Sequence, residues 1–569
     1  MALTIRFGPY ELDTDSRELR SSSGRVRLQD QPFEILQLLL AQPGHVVTRD
    51  QIRERLWPAG TFVDFEHSLN AAVKRLRAAL GDDAECPRYV ETVPRRGYRF
   101  VACLSGEEPE PAAHHVRLAV LAFSNLSADR ERDYFSDGLT EEMTAKLGQV
   151  CGDQVGIISS HSAMHFRNSP LSVQEIGQKL RADYVLVGSV RWEGERVRIT
   201  ARLVKTSNET QLWSEIYDRH LTDCLEVQSE VAAKIARSLA TELVPPATPA
   251  ASPPDAAAYQ SLLKGRYYWR KTADTGVMQA LSYYEEALAL DPTFASAHAG
   301  VARVHIVRAE YYHEMPRLAL KKAREAAECA QRLAPSLTDA HLSHADVTRF
   351  LYRDPAQSRA SYKRAVSLNP SHEGARIGYA KMLAAVGEFP QAIREADHAR
   401  ELDPMCLTAN ATSAWVRYLG GDYDTAVSLC RDTLEMDNDY VWANRLLGGA
   451  LLASGRRNEA LRTLERVVES QPRDPLSLAW LAYARTVTGD KVHALDLLEH
   501  LEQLADERYV SPYHMAIVHF GLGDVEATCR ALRQAEEERD PMLANLNVDP
   551  RLAELRHDPN LVASVGSTR

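Results

Sequence analysis

One segment near the start of the chain has the residue types and spacing to bind a polyanion. The sequence SLNAAVKRLRAALGD repeats its large aliphatic residues at helical spacing, which predicts a helix with one apolar stripe. The stripe consists of Leu69, Val73, Leu76 and Leu80. The other faces carry Asn70, Lys74, Arg75 and Arg77. A helix that is buried on one side and cationic on the other can lie in the major groove of DNA, where long cations reach bases and phosphates.

A second cationic group follows in YVETVPRRGYRFV, which is typical of a hairpin with residues 94–97 at its tip. Arginines on a protruding hairpin are placed to contact the minor groove or the DNA backbone. The full candidate set for DNA binding is Asn70, Lys74, Arg75, Arg77, Arg88, Thr92, Arg95 and Arg96. Basic residues on a single helix are more often a solvated face, so the order of the surrounding elements decides between the two interpretations.

The elements around these groups follow a recognisable order. Residues 5–29 alternate apolar and polar positions and contain two turn signals, which predicts short antiparallel strands. Residues 31–42 place apolar side chains on one helical face. A capping box formed by Thr48 and Gln51 then opens a second short helix. Strands, three helices and a hairpin therefore carry the two basic groups, which favours DNA binding.

The span from Ile5 to Val101 resembles the OmpR/PhoB-type effector domain, matching at the N-terminal strands, at Leu56-Trp57, at LNAAVKRLRAAL and at RGYRF. The resemblance implies a winged helix-turn-helix in which residues 68–80 are the recognition helix and residues 94–97 are the wing. It also implies that the loop from Pro58 to Glu66 contacts RNA polymerase. No receiver domain precedes this segment, so we do not expect phosphorylation by a partner histidine kinase.

The composition predicts several domains in a soluble protein. The chain has 569 residues and a net charge of −11, yet residues 1–104 carry 15 Lys and Arg against 14 Asp and Glu. Two linkers rich in proline and alanine, residues 105–115 and 244–254, separate domains at 1–104, 116–243 and 255–569. The sequence lacks a transmembrane run, a signal peptide and paired cysteines, so we expect reduced thiols, a cytoplasmic location and no membrane partner.

The last domain repeats every 34 residues, a period typical of tetratricopeptide helix pairs. Five glycines hold this register: Gly387, Gly421, Gly455, Gly489 and Gly523. Glycine permits the tight turn between the two helices of a pair, and prolines such as Pro370 and Pro404 end the units. We count about seven pairs plus a C-terminal helical cap, with a concave face suited to a protein or peptide partner.

The central segment alternates strands and helices and predicts an α/β domain that ends in a long helix over 222–243. Its motifs AVLAFSNLS, DYFSDGLTEE, YVLVGSVRWEG and LWSEIYDR resemble the TolB amino-terminal-like, or FlgO-like, domain. The segment lacks the phosphate-loop, GxSxG and HExxH motifs. His161 and His165 could flank a metal ion, but the sequence offers no third ligand. We therefore expect no catalytic residues, no cofactor and no metal.

The predicted fold class is multidomain α+β, with an N-terminal winged helix-turn-helix, a central α/β domain and a C-terminal all-α tetratricopeptide superhelix. The leading hypothesis is a soluble one-component transcription regulator that binds promoter DNA and is controlled through its central and repeat domains. One alternative is a scaffold in which the winged helix contacts protein rather than DNA. Another is a nucleotide-dependent or hydrolytic activity in residues 116–243.

Overall fold

The computed structural model of the chain divides into two compact units, residues 1–115 and 116–569. The structure describes residues 4–7, 10–13, 16–21, 24–26, 28–41, 46–56, 65–82, 89–93, 97–101, 116–127, 132–152, 155–193, 196–220, 230, 255–269 and 274–557. Both expected linkers therefore lie outside the described residues. Within the described part of the chain, no helix is long and apolar enough to cross a lipid bilayer.

The first unit combines two antiparallel sheets with three helices around one core. The N-terminal sheet contains, in order, β1 (Thr4–Phe7), β2 (Tyr10–Asp13), β3 (Glu18–Ser21) and β4 (Gly24–Val26). The helices are α1 (Asp30–Ala41), α2 (Arg49–Leu56) and α3 (Phe65–Leu80). The second sheet has the order β5 (Val46–Thr48), β7 (Gly97–Phe100), β6 (Val90–Val93). The predicted order of strands, three helices and hairpin is confirmed, and β5 is an additional strand.

Aromatic rings and helix ends hold the two sheets and the helices of this unit together. The rings of Phe7 and Phe100 meet edge to face, with centroids 5.2 Å apart. The Tyr10 hydroxyl donates to the carbonyl of Leu80 at 2.9 Å, which attaches the N-terminal sheet to the end of α3. The predicted capping box is present, because Thr48 and Gln51 each accept a hydrogen bond from the other's backbone amide.

The second unit begins with a mixed sheet that has helices on both faces. Its strands are β8 (Val116–Val120), β9 (Ser124–Asn125), β10 (Val155–Ile158), β11 (Tyr184–Glu193), β12 (Arg196–Lys205) and β13 (Gln211–His220). The order is β10-β8-β11-β12-β13, with β9 beside β11; β8 runs parallel to β10 and β11, and β11 to β13 are antiparallel. Helix α4 (Asp133–Cys151) packs on one face, and α5 (Ser160–Met164) and α6 (Val173–Leu180) pack on the other. The expected α/β architecture is confirmed, whereas the helix expected over 222–243 lies outside the described residues except for Glu230.

Eight helix pairs follow in the described residues, one more than the sequence count. They are α7 (Ala256–Trp269) with α8 (Asp274–Leu290), α9 (Ala295–Glu310) with α10 (Pro316–Leu333), α11 (Thr338–Val347) with α12 (Pro355–Leu368), α13 (Glu373–Ala385) with α14 (Phe389–Leu402), α15 (Leu407–Leu419) with α16 (Tyr423–Met436), α17 (Val441–Ala453) with α18 (Arg457–Ser470), α19 (Pro475–Thr488) with α20 (Lys491–Ala505), and α21 (Pro512–Leu522) with α22 (Val525–Glu537). A π-helical turn (Thr348–Tyr352) extends α11, and three 3-10 turns (Pro541–Asn545, Pro550–Leu552, Glu554–His557) form the cap.

The five glycines of the 34-residue register occupy the turns inside the last five pairs. Their φ angles lie between +82° and +88°, a left-handed conformation that residues with a Cβ adopt at a cost. At Gly455, the amides of Gly455 and Arg456 donate to the carbonyls of Leu452 and Leu451, so the turn also satisfies the end of α17. The predicted role of these glycines is confirmed.

The central sheet and the repeats share a core within the second unit. Tyr259 and Leu263 of α7 belong to the same apolar cluster as α4 and the sheet. The contact is close, because a Cβ on Gly138 would lie 2.4 Å from Leu263 Cδ2. At the edge of the sheet, Ile157 and Ser159 donate backbone amides to the Ser371 hydroxyl at 3.1 Å and to the Leu402 carbonyl at 2.7 Å. The repeats thereby cover an edge strand.

The array also closes on itself, because the turns of its second and third pairs contact residues of the last pair, the turn before it and the cap. The Tyr312 hydroxyl donates to the Asp540 carboxylate at 2.8 Å, and the Tyr312 ring stacks on Tyr509. Arg353, which follows the π-helical turn, forms an ion pair with Glu536 of α22. Segments about 200 residues apart in sequence therefore enclose a common interior space.

We predict that Gly455→Ala destabilises the second unit by about 1–2 kcal/mol, because alanine must adopt a left-handed conformation there. Gly455→Asn is the matched control and should cost less, since asparagine tolerates this region. Urea unfolding of the full chain, followed by circular dichroism, measures both. The prediction fails if the alanine variant unfolds at the same urea concentration as the unmodified chain.

Candidate nucleic-acid interface

The orientation of α3 follows from its buried stripe. Leu69, Val73, Leu76 and Leu80 are each at most 2% exposed and pack into the core of the first unit. The helix begins at Phe65, three residues earlier than the sequence predicted, and ends at Leu80 as expected. Since the stripe faces inwards, the candidate side chains between its members lie on the outer surface of the helix.

Lys74 is the candidate that points into solvent without an internal acceptor. It is exposed, and it forms no hydrogen bond or ion pair with any described residue. Arg75 is also exposed but is held in place: Nε donates to the Ala71 carbonyl at 3.2 Å and Nη1 to Gln29 Oε1 at 2.6 Å. The side chains of Lys74 and Arg75 are both long and flexible enough to contact a DNA phosphate instead.

Arg77 has a different environment from the other two cations. Its guanidinium donates twice to the Val90 carbonyl, at 2.6 and 3.1 Å, and once to Thr92 Oγ1 at 2.8 Å. It thereby attaches α3 to β6 of the hairpin. A guanidinium with its fork already filled by a backbone carbonyl is a positioning group, and the same bonds occupy Thr92.

Asn70, like Arg77, connects α3 to the hairpin. Its Oδ1 accepts a hydrogen bond from the buried Tyr98 hydroxyl at 3.0 Å. The guanidinium of Arg49, at the start of α2, lies over the same Tyr98 ring at 5.6 Å. The hydrogen bond from Tyr98 fixes the orientation of the Asn70 side chain, which lies on an exposed part of the helix.

Two other arginines of this unit are neutralised locally. Glu34 accepts hydrogen bonds from Arg17 at 2.7 Å and from Arg55 at 3.0 Å. Burial raises the pKa of Glu34, but these two arginines lower it further, so the net shift is downwards and the carboxylate stays charged. Within the described part of the unit, α3 is therefore a better candidate for a cationic binding surface than the region around Arg17 and Arg55.

The remaining sequence candidates lie outside the described residues. These are Arg88, Arg95 and Arg96, together with residues 58–64 of the loop that the resemblance assigns to RNA polymerase. The sequence reasoning missed β5, which pairs with β7 and brings Arg49 to Tyr98. The sequence did contain a signal for this strand, because all three residues of Val46-Val47-Thr48 are β-branched and favour strands.

The structure also places two polar side chains beside His161 that the sequence did not indicate. Asp403 and Cys406, from the turn between α14 and α15, bring their ligand atoms within 4.8 Å of His161 and of one another. Asp403 accepts from the Ser162 hydroxyl at 2.5 Å, and Cys406 Sγ accepts from the Ala409 amide. Burial raises the pKa of the Cys406 thiol, which opposes the thiolate that metal ions bind. We assign these groups to the junction with the repeats, and the absence of a metal stays a prediction.

Comparisons with known proteins agree with this geometry. Residues 23–100 match the family described as "Transcriptional regulatory protein, C terminal", and residues 419–485 match "Tetratricopeptide repeat". The transcriptional regulator HilA of Salmonella typhimurium is 22% identical over 502 residues, which cover 87% of this chain and 88% of that protein. The cholera toxin transcriptional activator of Vibrio cholerae is 36% identical over 87 residues, 15% of this chain and 30% of that protein.

One further relative is named as an enzyme. The putative adenylate cyclase 3 of Rhizobium meliloti is 29% identical over 267 residues. These residues cover 46% of this chain and 44% of that protein. Because the chain spans less than half of that relative, its named activity does not transfer to this chain.

The fold, the outer face of α3 and the family matches together define the class of protein to which this chain belongs. The first unit holds an OmpR/PhoB-type DNA-binding domain, and the second carries tetratricopeptide repeats. The chain is a DNA-binding transcription regulator of this architecture. The predicted fold class is confirmed, while the resemblance of the central segment to the TolB amino-terminal-like domain stays a prediction.

We predict that Arg77→Lys loosens the hairpin, because an ammonium group cannot reproduce three hydrogen bonds from one planar fork. The loss should be about 1.5–3 kcal/mol of local stability. Hydrogen exchange of the full chain, read at the amides of β6 and β7, measures it. The matched control is Lys74→Ala, which should change protection by no more than ~0.5 kcal/mol. Equal protection in the Arg77 variant and the unmodified chain would contradict the assignment.

Proposed function

We propose that this chain is a one-component regulator in which α3 reads promoter DNA. The observation that carries the proposal is Lys74, an exposed cation on the outer face of a helix whose inner face is fully buried. Asn70 and Arg75 flank it on the same outer surface and reach base edges or phosphates. Double-stranded DNA is thus the partner of the first unit.

The other candidate residues receive separate roles. Arg77 and Thr92 position the hairpin relative to α3, as their mutual hydrogen bond supports. Arg95 and Arg96 at the hairpin tip, with Arg88 nearby, contact the minor groove or the backbone by analogy with the wing of OmpR/PhoB-type domains. By the same analogy, the loop from Pro58 to Glu66 contacts RNA polymerase.

The second unit supplies control rather than chemistry. We propose that it has no enzymatic activity, and that a protein, a peptide or a ligand bound by the central and repeat domains regulates the first unit. Tetratricopeptide arrays commonly hold extended peptides on their concave face, which supports a protein partner. Because its proposed target is bacterial promoter DNA, the protein acts in the cytoplasm. The scaffold hypothesis, with the winged helix on a protein partner, remains the second candidate.

We predict that the full chain binds duplex promoter fragments with a strong dependence on salt. Lys74→Ala should weaken binding and reduce the slope of log affinity against log salt by ~0.9, the value for one lost phosphate contact. Fluorescence anisotropy at several salt concentrations measures both quantities. The matched control is Arg25→Ala on β4, an exposed arginine of the other sheet that pairs with Glu18; it should leave the slope unchanged.

A flat salt dependence in the unmodified chain, or a slope unaffected by Lys74→Ala, would overturn the proposed reading of DNA by α3. A chain that fails to bind duplex DNA but whose first unit captures a protein would favour the scaffold.

A further inference from the structure

The interior space of the closed repeat array contains a cavity with an unusual lining. The space between these side chains amounts to about 800 Å³, open solvent included. Its walls come from α9, α11 with its π-helical turn, α13, α15, α17, α19, α21 and the cap. Side chains from distant repeats thus face one volume.

Arg349 is the most informative residue of this lining. It lies in the π-helical turn and is only 8% exposed. Its Nε has no hydrogen-bond partner, and its Nη2 donates only to the Lys381 carbonyl, at 3.3 Å. Among the described residues, no carboxylate lies within ion-pair distance of this guanidinium. Its guanidinium carbon lies 4.8 Å from the centre of the Phe350 ring, a contact that stabilises the cation only in part. A buried arginine without an ion-pair partner remains costly unless an anion binds it.

The nearest acidic residue on the same helix is committed elsewhere. Asp346 pairs with Arg303 at 3.2 Å and accepts a hydrogen bond from the Tyr362 hydroxyl. The charge of Arg349 acts on this carboxyl, but Asp346 forms its ion pair with Arg303 and none with Arg349. Such π-helical turns occur frequently at functional sites, which agrees with a binding role for the residues they carry.

The charges around Arg349 have the same sign. Lys381 and Arg445 also line the cavity, while Glu310 is its acidic residue. Glu310 accepts from Lys381 at 3.4 Å, and Arg445 pairs with Asp474, which does not line the cavity. Burial lowers the pKa of His514 well below its usual value, so this imidazole contributes no charge. Of the three cations in the lining, Lys381 and Arg445 form ion pairs, and Arg349 forms none with any described residue.

Flat aromatic surfaces occupy the rest of the wall. The cavity is lined by Tyr311, Trp415, Trp442 and Trp480. The ammonium group of Lys381 lies over the Trp442 ring at 5.3 Å. Asn545 of the cap contributes a buried amide oxygen without a hydrogen-bond partner. Planar rings stack on such surfaces, and the amide accepts a donor group.

We propose that this cavity binds a small organic anion with a planar aromatic ring. The guanidinium of Arg349 holds the carboxylate or phosphate, which its planar fork fits with two parallel hydrogen bonds. The tryptophan and tyrosine rings hold the ring of the ligand. A small molecule fits better than an extended peptide because the contacts of Tyr312 with Asp540 and of Arg353 with Glu536 close the array across the cavity. A role of this ligand as the regulatory signal rests on the proposed function, whereas its binding does not.

Calorimetry on the full chain with 2-naphthoate as the probe tests the proposal in the absence of DNA. Binding should be saturable, whereas 2-naphthalenemethanol, which has the ring without the charge, and acetate, which has the charge without the ring, should bind at least about tenfold more weakly. 2-Naphthyl phosphate, run in parallel, distinguishes a phosphate ligand from a carboxylate ligand by the tighter of the two affinities.

Variants of the full chain locate the site. Arg349→Gln should reduce naphthoate affinity at least about tenfold. Arg349→Lys keeps the charge but loses the planar fork, so its affinity should lie between those of the unmodified chain and Arg349→Gln. Trp442→Leu should also weaken binding. Arg456→Gln is the matched control, since Arg456 is an exposed arginine that pairs with Glu459 away from the cavity. A thermal melt confirms that each variant is folded.

Three results would overturn the proposal: no saturable binding of either naphthyl anion, unchanged affinity in folded Arg349→Gln, or tighter binding of an acetylated tripeptide ending in tryptophan with a free carboxylate. The last result would assign the cavity to a peptide terminus. DNA affinity measured on the same samples keeps this outcome separate from the proposed DNA reading, because the cavity residues all lie in the second unit.

Discussion

The burial of four aliphatic side chains in α3 determines which residues of the first unit can meet DNA. Leu69, Val73, Leu76 and Leu80 bury apolar surface at roughly 25 cal/mol per Å² and so fix the rotation of the helix about its axis. Once that rotation is fixed, Lys74 points outwards and Arg77 points towards the hairpin. The proposed interface is therefore a consequence of core packing, and net charge, which is −11 for the chain, does not predict it.

A comparable constraint organises the second unit. The close approach of α4 and α7 at Gly138 places Leu263 in the core of the central domain, and the Tyr312–Asp540 contact closes the array at its other end. Burial raises the pKa of Asp540 although the hydroxyls of Ser511 and Tyr312 donate to it, so this closing contact lies in a dry environment.

The sequence predicted the features that depend on local periodicity. The 34-residue register located the turn glycines, and the heptad-like spacing of leucines located α3 within three residues. The order of elements in the first unit and the α/β character of the central domain followed from similar patterns. These features depend on neighbours in sequence, so a single chain contains the information.

The features that sequence reasoning missed depend on contacts between distant segments. The carbonyl of Val90, which occupies Arg77, belongs to another element, and a residue type alone does not reveal it. Asp403 lies more than 200 residues from His161. The cavity joins Arg349 in a π-helical turn to Asn545 in the cap, and only the curvature of the array brings them together.

Genome-wide mapping of the sites that the full chain occupies in the cells that encode it tests the central claim most directly. The unmodified protein should occupy a limited set of sites upstream of genes, with a shared sequence motif. A variant with Asn70 and Lys74 both replaced by alanine should lose these sites at equal protein abundance. Occupancy without a shared motif, or sites retained in that variant, would contradict the proposal that α3 reads DNA.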